Sequence, residues 1–240
     1  KTPPFVIDSH IHYKASDDWE KAFVDTFAKY NAMGCVLVDM PNLERGIAFA
    51  KAHPDRVIPY AAVKIDSSSV LNDIQRAYDM GYKGLGELFA TGDWDYNDPR
   101  YDPIWTLAEK LGMPIAPHTG NLATGQMDHL RPAPLADIAA KHKRLLIHAA
   151  HFGNPWYEEA AEAARRNTNL YFDLSGSSLI KKENDPRFWA QWLWWTEAIG
   201  KAHMPKNAVH AWRKIVFASD EGPDQLRENF RRFNKVLDAC

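Results

Sequence analysis

Short apolar runs and longer amphipathic stretches alternate along this chain. Eight runs recur, at residues 5–12, 34–40, 57–65, 82–88, 114–118, 145–148, 170–174 and 215–219. Most are continuously apolar rather than alternating, which marks strands buried on both faces. The stretches between them carry helical periodicity. Residues 17–31 place Trp19, Ala22, Phe23, Phe27 and Tyr30 at three- and four-residue spacing, the apolar stripe of an amphipathic helix. Residues 70–80, 104–111, 134–142 and 156–167 follow the same rule, and 226–237 puts Leu226, Phe230, Phe233 and Leu237 on one stripe. Strands alternating with helices imply a parallel sheet covered by helices. Eight such units in 240 residues predict an α/β fold, a single (β/α)8 TIM-type barrel domain over residues 1–240. An open dinucleotide-binding sheet fits less well, because no Gly-x-Gly-x-x-Gly element follows the first run.

The pattern also says where chemistry belongs, since such barrels work at the C-terminal ends of their strands. The first run ends in Asp8-Ser9-His10-Ile11-His12. Residues two apart on a strand share a face, so His10 and His12 project together, two thirds of a three-ligand metal site. The fourth run ends in Glu87, the fifth in His118, the sixth in His148 with His151 just beyond, and the eighth in Asp220. Five of eight strands thus deliver a ligand-type side chain to one rim. His53, His129, His142, His203 and His210 lie in helical or connecting segments and read as surface or packing residues.

Composition narrows the function class. The net charge is −2 and the pI about 6.6, which points away from nucleic acid and from a polybasic membrane anchor. No apolar run approaches membrane length, and no signal-peptide core is visible, although the chain begins without Met. Only two cysteines occur, Cys35 and Cys240, so no disulfide framework is expected and a cytoplasmic location is the default. Segment 185–212 is longer than one barrel helix needs. It holds Trp189, Trp192, Trp194, Trp195 and Trp212. Trp189, Trp192 and Trp195, spaced by three, form a helical stripe. That stripe suits core packing, a lid in which Trp189 and Trp192 bind substrate, or a subunit interface of a homo-oligomer.

These ordered motifs resemble the amidohydrolase superfamily over the whole chain. Asp8-Ser9-His10-Ile11-His12 looks like that family's strand-one metal motif, with His118, a strand-six histidine and Asp220 following in order. His151-Phe152-Gly153, Tyr171-Phe172-Asp173-Leu174-Ser175-Gly176 and Phe217-Ala218-Ser219-Asp220 look like the branch that includes non-oxidative decarboxylases and lactonases. Two departures matter. Many two-metal members carry a carboxylated lysine on strand four, whereas the nearest lysine here, Lys83, begins that strand. Glu87 ends it instead, as in the TatD-like branch, where a glutamate bridges two metals. Strand six also offers two histidines. The His-x-Gly pattern selects His151 as the acid–base, leaving His148 as a ligand or a support.

The resemblance implies an enzyme that binds one or two divalent ions, with Zn²⁺ ahead of Mn²⁺, Fe²⁺ or Co²⁺, and a small-molecule substrate. The expected ligands are His10, His12, Glu87, His118, His148 and Asp220. Asp220 also takes a proton from water, and His151 serves as acid–base. Hydrolysis of a carboxylic ester, lactone or amide is the leading expectation, because Glu87 permits a second metal. Decarboxylation of an aromatic or enol acid is the alternative. A non-catalytic metal sensor remains, and a Ser–His–Asp site is a poor competitor because no Gly-x-Ser-x-Gly elbow occurs.

Overall fold

All eight apolar runs become strands. The computed structural model describes residues 4–122, 126, 128–176, 187–195 and 209–239. Within them lie β1 (Val6–His12), β2 (Ala32–Asp39), β3 (Val57–Ala62), β4 (Gly84–Leu88), β5 (Ile115–Pro117), β6 (Ile147–Ala149), β7 (Leu170–Asp173) and β8 (Ile215–Val216). They form one sheet in sequence order, each parallel to the next. The Ser9 N–H donates to Phe217 O at 3.0 Å and the Asp220 N–H to His10 O at 2.9 Å. These bonds tie the end of the sheet back to its beginning, so the barrel is nearly closed.

The outer layer comprises α1 (Asp17–Lys29), α2 (Leu43–Ala52), α3 (Val70–Met80), α4 (Asp102–Leu111), α5 (Ala133–Lys141), α6 (Tyr157–Arg166), α7 (Arg187–Ala190) and α8 (Leu226–Ala239). Local chemistry accounts for α1. The Ser16 side chain accepts from the Trp19 N–H, and Asp17, Asp18 and Glu20 sit in the first turn, where they meet the positive end of the helix dipole. Its buried residues are Trp19, Phe23 and Phe27, three of the five in the predicted stripe. The main core lies between strands and helices. A second small cluster, Cys35, Leu37, Tyr60 and Ala116, is formed by residues of β2, β3 and β5.

The structure differs from the sequence pattern at the strand ends. The third run overshoots β3 because Val63 and Ile65, past its last residue, are buried in the following loop. The eighth overshoots β8 for the same reason, with Phe217 and Ala218 buried. α2 lies outside the helices named from the pattern. It contains Gly46, a poor helix former, but a Cβ there would come within 2.6 Å of Val38, so the glycine lets the helix lie close on β2. Of segment 185–212, the described part contains α7 and the beginning of a 3-10 turn at Ala211–Lys214. No helix among the described residues is long and apolar enough to cross a membrane.

Candidate metal-binding site

The strand ends bring six of the expected side chains into one cluster. His10 and His12 project from β1 on one face, with their Nε2 atoms 3.2 Å apart. Glu87, on β4, places Oε2 3.6 Å from His10 Nε2 and 3.3 Å from His12 Nε2. Asp220 places Oδ1 3.4 Å from each of the same two nitrogens. Ligand atoms held about 2.1 Å from a tetrahedral ion lie about 3.4 Å from one another, and these five separations, from 3.2 to 3.6 Å, are close to that figure. The other oxygen of Glu87 faces a second pair. Oε1 is 2.6 Å from His118 Nδ1 and 3.4 Å from His151 Nε2. Three groups of ligand-type atoms therefore converge: His10, His12 and Glu87; Glu87, His118 and His151; and His10, His151 and Asp220.

Backbone geometry aims these groups. Gly86 precedes Glu87, and a Cβ at that position would stand 2.6 Å from the Cβ of Ala116 on β5. Only a glycine lets the two strands approach so closely beside the carboxylate. His151 and Asp220 have φ of 67° and 52°, the left-handed region that costs an ordinary residue about 1 kcal/mol or more. Both side chains reach the cluster from turns just past the strands, and that turn carries His151 where a continued strand would not.

A buried acid supports the imidazoles from below. Asp173, at the end of β7, is fully buried. Its Oδ2 lies 2.8 Å from His148 Nε2 and 3.6 Å from His10 Nδ1. Its Oδ1 accepts from the backbone N–H groups of His151 and Ser175 and from the Ser175 hydroxyl at 2.6 Å. Ser175 spends its single hydroxyl proton on Asp173, so toward His151 Nδ1, 2.9 Å away, its oxygen accepts. Neutral His151 then carries its proton on Nδ1 and turns the Nε2 lone pair toward Glu87 and Asp220. Asp8, also fully buried, accepts from the N–H groups of His10 and Ser219 and ties β1 to the end of β8. Burial, opposed by those bonds, raises its carboxyl to about 6.

The electrostatics are those of a tightly coupled group. Burial opposes charge on Glu87, but hydrogen bonds from His10, His118, His12 and His151 outweigh it and hold the carboxyl well below its usual range. Burial likewise opposes protonation of His10, yet Asp173 and Glu87 prevail and raise it well above the ordinary histidine value. Burial, rather than its bond to Glu87, decides His118, whose pKa falls, and a neutral imidazole is the form that ligates metal. The donor set of neutral-capable imidazoles and two carboxylates suits a divalent transition ion. The Nδ1 of His10 is buried without a hydrogen bond. With Nε2 given to an ion, the Nδ1–H would face Asp173, the usual outer support of a ligating histidine.

Other expected positions fall elsewhere. His148 was expected to ligate or support; its Nε2 is committed to Asp173, and it belongs to none of the convergent groups. Trp189 was expected to bind substrate, but it is fully buried against Phe152, Tyr157 and Phe188. Trp192 packs on Tyr157 and Phe188. Both serve the core, and neither lines the cavities beside the cluster. His129 and His142 bond away from it, to Gly92 O and Asp102, and His53 packs on Phe49. His203 and Cys240 lie outside the described residues. Ser175 is buried and donates to Asp173, which leaves it no role as a nucleophile. Asp173 was absent from the expected ligands and supports, although an acid closing the apolar run 170–174 was a readable signal. Two cavities flank the cluster. One, about 500 Å³, is lined by His12 and Glu87; the other, about 190 Å³, by His118, His151, Ser175 and Asp220.

The family model described as Amidohydrolase matches residues 42–237. No curated protein sequence matches the chain. Among solved structures, an uncharacterized TIM-barrel protein from Bordetella bronchiseptica aligns with a TM-score of 0.71 at 16% identity, covering 98% of this chain and 95% of that one. A probable 2-pyrone-4,6-dicarboxylic acid hydrolase from Acinetobacter baumannii, with citric acid bound, aligns with a TM-score of 0.65 at 14% identity, covering 97% and 92%. A dihydroxybenzoic acid decarboxylase from Polaromonas sp. JS666, with bound manganese and an inhibitor, aligns with a TM-score of 0.58 at 11% identity, covering 98% and 91%.

Proposed function

Because the chain belongs to the amidohydrolase family, we propose that it is a metal-dependent hydrolase of a small carboxylic ester, lactone or amide. The observation that carries this reading is the division of Glu87, with Oε2 toward His10 and His12 and Oε1 toward His118 and His151. A carboxylate shared in this way is suited to bridge two ions. His10, His12, Glu87 and Asp220 would hold one ion, and Glu87 with His118 a second, which leaves His151 Nε2 free to carry protons. A divalent ion there would lower the pKa of bound water to about 7 and polarise a substrate oxygen. Zn²⁺ is the first choice, with Mn²⁺, Fe²⁺ or Co²⁺ accepted by the same donors.

The chain's own residues supply the proton transfers. The half-buried Asp220 accepts the proton of the attacking water. His151 Nε2, 4.0 Å from Asp220 Oδ2, is placed to receive that proton and return it to the leaving group. The Ser175–Asp173 pair keeps its ring oriented throughout. Asp173 also holds His148, whose part is therefore support rather than ligation.

Decarboxylation of an aromatic or enol acid is the second reading, favoured by the polar cavity beside His118 and His151 and by the decarboxylase neighbour. Metal analysis of protein purified without chelator separates the two. The hydrolase reading expects close to two ions per chain, falling to about one in Glu87→Ala, with turnover of lactone or ester substrates. One ion in both proteins, together with carbon dioxide release from an aromatic acid, would overturn it.

A further inference from the structure

Just past β6 the backbone turns against the preference of its residues. His151, Phe152 and Gly153 have φ of 67°, 49° and 70°, three left-handed residues in succession, where such residues ordinarily occur singly. Two of the three carry a Cβ. The first is His151, whose Nε2 lies 3.4 Å from Glu87 Oε1, so the turn sets where that ring stands. One bond, from the Asn154 N–H to His151 O at 3.3 Å, closes the turn on itself. Other strands supply the bonds that hold it from outside.

Thr119 follows His118 just past β5 and is fully buried. The pairing of β5 with β6 continues to a bridge between His118 and Ala150, which brings Thr119 beside the turn. A hydroxyl has one proton to give and lone pairs with which to accept. Thr119 Oγ1 donates to Ala150 O, before the turn, and accepts from the Gly153 N–H at 2.9 Å, at its end. His151 and Phe152 lie between these two bonds. Asp173 Oδ1 holds the His151 N–H at 3.0 Å, so the turn is gripped by Thr119 on one side and by Asp173 on the other. His118 is fixed separately. Its N–H donates to Leu88 O at 2.8 Å, and its carbonyl shares the Tyr96 hydroxyl proton with Leu88 O. Removing the Thr119 hydroxyl should therefore loosen the turn and leave His118 in place.

We infer that Thr119 is a positioning residue for proton transfer: by clamping the left-handed turn, it holds the His151 ring against Glu87 and His118. The inference rests on the reading of His151 as the acid–base and deepens it by naming what fixes the place of that ring. The rings of His118 and His151 stand 4.7 Å apart between centroids, and Thr119 ties together the two chain segments that carry them. Its hydroxyl is spent on backbone groups, so it acts through His151 and not on substrate. A displacement of about 1 Å at such a group can cost about a hundredfold in rate.

The test observes the ring itself by NMR. In zinc-loaded protein carrying isotope-labelled histidine, the Nδ1–H that His151 gives to the buried Ser175 should appear as a ring N–H resonance protected from solvent, identified by its loss in His151→Gln. Thr119→Val keeps the shape without the hydroxyl. Thr119→Ala set against Thr119→Ser repeats the comparison with a smaller side chain. Exchange of that proton with water should quicken about tenfold or more in the Val and Ala variants, the scale of one lost hydrogen bond, and stay slow in the Ser variant. Ile74→Val, a core truncation in α3, should leave it unchanged, and zinc content should be the same throughout. No protected resonance in the wild-type protein, or equal protection in Thr119→Val and Thr119→Ala, would overturn the inference. With dihydrocoumarin as a lactone probe, kcat should fall about ten- to a hundredfold in the Val and Ala variants at unchanged KM, and Thr119→Ser should restore it. No turnover of the probe by the wild-type protein counts against the hydrolase reading, while the exchange rates still decide the role of Thr119.

Discussion

Asp173 decides how three histidines are presented. It touches His10 and His148 and, through Ser175, orients His151. Asp173→Asn keeps the shape but removes the charge that faces His10 Nδ1. Loss of such an outer support usually costs ten- to a hundredfold in metal affinity. We expect a fall of about that size in a chelator competition, with all six cluster residues intact; unchanged affinity would reduce Asp173 to a packing residue. A second buried charge works differently. Lys214 is buried, donates to Asn167 O at 2.6 Å, lies 4.1 Å from the centre of the Tyr171 ring, and has no carboxylate partner among the described residues. Burial lowers its pKa to about 8. The unfolded lysine titrates at about 10.4, so between those values the unfolded chain holds the extra proton. Stability should then rise with pH across that window, and the penalty for the buried charge is complete below about pH 8. Denaturant midpoints followed from pH 7 to 10.5 should show the wild-type protein gaining on Lys214→Met by a few kcal/mol. Parallel curves would contradict the assignment.

At the scale of elements, two close contacts hold the site in place. Gly86 lets β4 meet β5 beside Glu87, with no room for a methyl group against Ala116. Gly86→Ala should cost about 1–3 kcal/mol by overpacking and shift Glu87, so metal content should fall along with the melting temperature. The aromatic cluster between α6 and α7 acts further out. Trp189 fills the space between Phe152 and Tyr157, and Phe152 directly follows His151. Trp189→Ala should cost about 3–5 kcal/mol in chemical denaturation, without a change in KM when activity is normalised to folded protein. A raised KM with unchanged stability would return Trp189 to the substrate site. The helical spacing of the tryptophans was legible in the sequence, but a stripe of this kind is the same for core, lid and interface. Only the partners it meets distinguish them, and for Trp189 these are α6 and the turn after β6.

For the whole molecule, the site closes the barrel. His10 and His12 come from its first strand and Asp220 from just after its last, and the Asp220 N–H bonds His10 O across the seam. An ion held by all three would bind the folded chain and not the unfolded one. At a free concentration a hundred times its dissociation constant it would add about 2.7 kcal/mol, several degrees in a chain of this length. Thermal melts with and without chelator should separate by that order, and the separation should vanish in the His10→Ala, His12→Ala double variant. Coincident melts in the wild-type protein would show that no ion bridges the seam.

Much of this was determined by the sequence alone. Eight apolar runs separated by helical stripes specify strand and helix periods locally, and their number and order imply a barrel whose strand ends share one rim. His10, His12, Glu87, His118, His151 and Asp220 could be placed on that rim because each follows its own apolar run, a relation of neighbours in the chain. The tertiary structure decided what depends on contacts between strands distant in sequence. His148 and His151 both lie near the end of β6, but only the left-handed turn at His151 swings its ring into the cluster, while Asp173, contributed by β7, captures His148. The two-sided use of Glu87 follows from the closure of β1, β4, β5 and the turn after β6 around one point.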